Sequence, residues 1–156
     1  MKLLYSVVVL LLFHICSAQN HDDFLEPHNT ERAQVGLLPL RWNKTLEAYA
    51  EKYINTRKGD CGLVHSGGPY GENLFWGSSN DFTNKAAVSG WIDEKRFYNY
   101  ATNECNVGQQ CGHYTQVVWR KSTDVGCARL LCDADQGVLI ICSYDPPGNY
   151  IGESPY

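Results

Sequence analysis

Four side chains in this chain have the types and local settings that polar-cleft chemistry needs. His113 stands in "CGHYTQVVW", His65 in "LVHSGG", Glu72 in "YGENL" and Glu94 in "IDEKRF". Imidazole and carboxylate together can exchange protons, orient one another by hydrogen bonds, or bind zinc or another divalent ion with an open coordination position. Their spacing does not show that they meet, so structural hydrogen bonding is the default for all four. The other two histidines beyond residue 18 have plainer settings. His21, beside the start of the mature chain, is expected to face solvent, and His28, within "HNTER", to pack or cap.

Covalent catalysis is disfavoured. Ser66 follows His65 but lacks a G-x-S-x-G context, and no H-E-x-x-H or glycine-rich phosphate loop occurs. Asn43-Lys44-Thr45 is an N-x-[ST] glycosylation sequon, although Asn43 as a helix cap accounts for the same residues.

The elements that must position these groups follow from periodicity and punctuation. Asp22 and Asp23 can cap a helix over 24–35 that Gly36 ends, and Asn43 a second over 44–58 with a Leu46, Ala50, Tyr53 and Ile54 stripe. A third helix over 82–100 turns Ala87, Trp91 and Ile92 inward and carries Glu94 in its C-terminal half, with Gly90 as a weak point. Alternation in "HYTQVVW" predicts a strand over 113–119, and "GPYGENLFWG" can supply one short strand. "GCARLLC" and "GVLIICSY" flank a turn and read as a hairpin. Helices first and mostly antiparallel strands later define an α+β class.

Length and composition place these elements in one extracellular domain. Lys2, the apolar run from Leu3 to Ile15 and the small residues Cys16-Ser17-Ala18 read as a signal peptide over 1–18, leaving a single domain over 19–156. That run is too short to span a bilayer. The full chain carries a formal net charge of −4, and it has no basic-aromatic patch, so nucleic acid is excluded as a partner. Loss of the leader removes one of seven cysteines, and the remaining even number suits disulfides in an oxidising compartment better than zinc.

One bridge has a geometric argument. Centring the hairpin loop on Asp133 to Gln136 sets Cys127 opposite Cys142, within disulfide reach. Cys105 and Cys111 are near enough in sequence to close a local loop, which would leave Cys61 for Cys132, but six cysteines permit about fifteen connectivities.

Taken together, "CGHYTQVVW", "GENL", "HN" with the following Arg32, and "CSYDPPGNYIGESPY" resemble the plant pathogenesis-related protein 1 family, within the CAP superfamily of cysteine-rich secretory proteins. The resemblance runs from about Asp23 to Tyr156. It implies a three-layer α-β-α sandwich and the pairs Cys61–Cys132, Cys105–Cys111 and Cys127–Cys142. It also implies that His65, Glu72, Glu94 and His113 form a central-cleft tetrad, with His65 and His113 as metal ligands in some members and no required cofactor. No settled enzymatic reaction comes with the family.

The resemblance further implies a monomeric defence protein of the apoplast that binds sterol or lipid. Its sterol loop would lie at Trp76 to Phe82. Cleavage between Asp145 and Pro146 would free residues 146–156 as a signalling peptide for a receptor. Two rival readings stand beside this one. A metal-dependent hydrolase would hold zinc on His65 and His113 with Glu72 or Glu94 as general base, and a pure scaffold would only display the C-terminal peptide. The composition-rich tail "DPPGNYIGESPY" is expected to be extended, exposed and protease-accessible. Ser143 stands where the family usually has Asn, and the chain is acidic where antimicrobial members are basic.

Overall fold

The structure is a computed structural model describing residues 21–156, and the leader read at 1–18 lies outside the described residues. Helix α1 covers 21–34, so His21, Asp22 and Asp23 lie within the helix and do not cap it as expected. It ends where predicted. Gly36 adopts φ +73°, its N–H reaches Ala33 O at 3.1 Å and Leu37 N–H reaches Arg32 O at 2.9 Å, the pattern that closes a helix on a left-handed glycine.

Strand β1 (Arg41–Trp42) leads into α2 (Lys44–Ile54), whose N-cap Asn43 accepts from Thr45 N and Leu46 N. The expected helix over 44–58 stops earlier, because Asn55–Arg57 tighten into a 3-10 turn. Strand β2 (Gly71–Gly77) is followed by α3 (Asn84–Asp93), capped by the Thr83 side chain on Ala86 N. The predicted helix over 82–100 is cut at both ends. Glu94–Phe97 form a 3-10 turn, and Tyr98–Asn99 (β3) pair with Glu104–Cys105 (β4) in a small hairpin.

The strand expected over 113–119 is a helix instead, α4 (Gly112–Val117). Its alternation misled because the decisive partner is distant in sequence. The Glu94 carboxylate accepts the N–H groups of His113 and Tyr114, two of the donors that a helix start leaves unsatisfied.

Strands β5 (Asp124–Leu131) and β6 (Val138–Asp145) form the expected hairpin in the expected register, Cys127 facing Cys142. The sheet order is β1-β5-β6-β2, with β1 parallel to β5 and the other neighbours antiparallel. All three expected disulfides form: Cys61–Cys132, Cys105–Cys111 and Cys127–Cys142.

Alternate residues of a strand face opposite sides, and β6 separates two apolar clusters in this way. Val138, Ile140, Cys142 and Tyr144 pack with Phe24 of α1, Ala87, Val88 and Trp91 of α3, and Tyr114 and Val117 of α4. Leu139 and Ile141 pack with Ala50 and Ile54 of α2 and with the Cys61–Cys132 bridge. Gly126 lets α2 lie close on β5, since a Cβ there would fall 2.2 Å from Glu47 N.

Candidate functional site

The four cleft residues come together as two His–Glu pairs. Glu72 sits on β2, its side chain 4 % exposed and 3.1 Å from His65 Nδ1 through Oε2. The same oxygen accepts Ser66 N–H at 2.9 Å, and Oε1 takes a short hydrogen bond from Ser66 Oγ. Tyr49 from α2 completes this shell, with its hydroxyl 2.7 Å from Ser66 Oγ. His65 itself is an exposed ring on a loop, 64 % accessible along its side chain.

The second pair joins the turn after α3 to α4. Glu94 Oε1 lies 2.7 Å from His113 Nδ1, and Oε2 accepts His113 N–H at 2.9 Å. Burial pushes the Glu94 carboxyl up, but the hydrogen bonds and charge of His113 and the two backbone donors outweigh it and hold the group below its ordinary range. Trp91 stacks near His113, ring centroids 6.3 Å apart.

A chain of buried polar groups connects the two pairs to the core. Asn73, next to Glu72, donates through Nδ2 to His113 O at 3.0 Å and to Tyr144 Oη at 3.2 Å. Tyr144 Oη lies 2.7 Å from His28 Nε2, and His28 Nδ1 lies 2.8 Å from Phe24 O. His28 therefore packs, as expected, and burial lowers its pKa to about 4. Of this chain only His28 stood out in the sequence. Asn73 and Tyr144 lay unremarked inside "GENL" and "CSY", since neither residue type signals a partner 71 positions away.

Both carboxylates spend their oxygens on hydrogen bonds, and each histidine turns Nδ1 toward one of them. The Nε2 atoms of His65 and His113 carry no hydrogen bond among the described residues. A carboxylate on one ring nitrogen is the usual support for an imidazole that ligates through the other. Among the described residues, however, no three His, Cys, Asp or Glu side chains gather closely enough to close around a metal ion. Each imidazole thus keeps a carboxylate behind it, Glu72 for His65 and Glu94 for His113.

Other expected residues fall as follows. Trp76 lies one residue before the end of β2 and Phe82 in the loop after it; both are partly exposed, at 44 % and 39 %, with Trp76 Nε1 donating to Gln136 O and Phe82 packed on Phe75 at 5.5 Å. His21 is not free in solvent as expected: it stacks on Trp42 at 4.4 Å and pairs with Glu47 at 3.0 Å. The tail is largely exposed but anchored. Ser122 Oγ donates to Pro146 O, Gly148 N to Gln116 Oε1, Asn149 Nδ2 to Gly112 O, and Arg120 N to Pro155 O. Asp145 stays in β6, its carbonyl accepting Thr123 N–H at 3.0 Å. No helix among the described residues is long and apolar enough to cross a membrane.

A disulfide-tied α+β domain defines a class of fold, and comparison with known proteins identifies the family. Residues 25–144 match the model of the cysteine-rich secretory protein family, CAP. The chain is 55 % identical over 141 residues to pathogenesis-related protein PRMS of Zea mays, covering 90 % of this chain and 84 % of that one. It is 52 % identical over 161 residues to pathogenesis-related protein 1C of Nicotiana tabacum, covering 100 % and 95 %. Venom allergen-like protein 4 of Schistosoma mansoni shares the fold with a TM-score of 0.67 at 27 % identity, over 85 % of this chain and 90 % of that one. The chain belongs to the CAP family, in its pathogenesis-related protein 1 branch.

Proposed function

We propose that this chain is a secreted plant defence protein of the apoplast that acts by binding, taking sterol or lipid from a pathogen. The observation that carries the reading is the pair of partly exposed rings, Trp76 and Phe82, bracketing one short loop. The indole N–H of Trp76 is satisfied internally, so what the loop offers outward is aromatic surface suited to an apolar ligand. Cholesterol and ergosterol binding by the oxidised protein, compared with Trp76→Ala and Phe82→Ala, tests this. Removing a ring that buries against a ligand should weaken binding about 10- to 100-fold. Equal affinity in folded variants would remove the loop from the mechanism.

The same protein serves as precursor of a signalling peptide, residues 146–156, read by a receptor after cleavage between Asp145 and Pro146. Mass spectrometry of apoplastic fluid from infected tissue tests that part: finding only the intact chain there rejects the precursor role.

The hydrolase reading is the weaker one. A divalent ion would be held by His65 and His113 and would supply Lewis acidity and an activated water. Glu72 and Glu94, engaged as acceptors from Ser66 N–H and from His113 and Tyr114 N–H, orient the rings and are not free bases.

A further inference from the structure

Arg32, expected only as part of the "HN…R" signature, is buried at 1 % exposure. Among the described residues its guanidinium bonds no carboxylate. Nε donates to Leu38 O, Nη1 to Val117 O and Trp119 O, and Nη2 to Ser122 O, all at 2.9–3.0 Å. A guanidinium has five N–H groups, so one Nη2 hydrogen is left without an acceptor among the described residues. A buried charge is ordinarily compensated by a counter-ion. Here burial lowers the Arg32 pKa to about 10.

A cavity of about 410 Å³ lies over this group. With Arg32, its lining includes Leu37, Leu38 and Pro39 and also Arg120 and Ser122. Since Arg32 bonds the carbonyls of both Leu38 and Ser122, its guanidinium forms the floor. Arg120 is exposed, and its side chain has no partner among the described residues. The nearest acid in sequence, Asp124, is already taken by Arg41 at 2.9 Å and by Thr123 Oγ1 at 2.6 Å. Leu38 is 83 % exposed. In a chain of net charge −4, this is a local concentration of positive charge beside an apolar wall.

We propose that this cavity is a binding site for a small organic oxyanion, a carboxylate or phosphate carried on an apolar group. The anion sits between the one free Nη2 hydrogen of Arg32 and the guanidinium of Arg120, whose unspent fork of N–H donors matches its oxygens. Its apolar part lies on Leu37, Leu38 and Pro39. The site is separate from the His–Glu cleft and from the loop at Trp76.

Calorimetric titration with phenyl phosphate, and with uncharged benzyl alcohol as control, tests the site on the mature oxidised protein. Phenyl phosphate should bind saturably and benzyl alcohol should not. Arg120→Ala, at an exposed position that leaves the fold intact, should weaken phenyl phosphate at least about tenfold, and Leu38→Ser about fivefold. Absence of saturable binding, equal binding of the alcohol, or indifference to Arg120→Ala would each overturn the proposal and leave Arg32 as a clamp between α1 and α4.

Discussion

Glu94 grips His113 twice, through the ring nitrogen at 2.7 Å and through the backbone N–H at 2.9 Å. One carboxylate thus sets an imidazole and starts the helix that carries it. Glu94→Ala should cost about 1–2 kcal/mol, the scale of a lost helix cap with a buried partner. Because the Glu94 pKa is lowered, its contribution is present above the ordinary carboxylate range and is lost as pH falls through the folded value. Urea melts at neutral pH and near pH 3 should show a smaller acid loss in Glu94→Ala than in the wild type; equal losses would contradict the cap.

Acid sensitivity should also come from His28. Its ordinary pKa of 6.5 falls to about 4 in the fold, so the unfolded chain takes up a proton more readily. Stability is complete above about pH 6.5, declines as pH falls toward 4 and levels off below. The difference corresponds to ~3 kcal/mol. His28→Asn should be less stable at pH 7 and should lose the slope between pH 6.5 and 4.

The disulfides should not be equivalent. Cys61–Cys132 spans 71 positions and Cys105–Cys111 only 6. In the chain-entropy account these are worth about 4 and about 2 kcal/mol. Paired Ser replacements followed by thermal unfolding should give the larger fall for Cys61 and Cys132, and the reverse order would show that native-state packing dominates.

Zinc titration separates the two roles of the cleft. If the ion rests on two imidazoles, His65→Ala and His113→Ala should each abolish binding. Glu72→Gln should weaken it about 10- to 100-fold by loosening His65. A Glu72→Gln variant that binds no zinc at all would place that carboxylate on the metal.

Local signals carried much of the architecture and less of the site. The β5–β6 register followed from counting outward from Asp133–Gln136, because a hairpin is decided by its own turn. α2 followed from Asn43 and a 3.6-residue stripe. α4 was hidden, since Val117 and Val118 favour strands by propensity and the Glu94 cap arrives from 19 positions away. Residue types pointed to the His–Glu tetrad and family likeness grouped it, but its division into two pairs, with Ser66, Tyr49 and Asn73 around them, depends on tertiary contacts that periodicity does not encode. The Arg32 floor was invisible for the same reason: its acceptors are backbone carbonyls, which every residue has.

The anchoring of the C-terminal tail changes what cutting it would mean. Hydrolysis after Asp145 breaks one bond and leaves the contacts at Gln116, Gly112, Arg120 and Ser122 in place. The product is then a two-chain complex whose dissociation follows mass action, so the fraction of fragment that is free rises on dilution and falls where the protein accumulates. Proteolysis would arm the signal, and local concentration would set its dose.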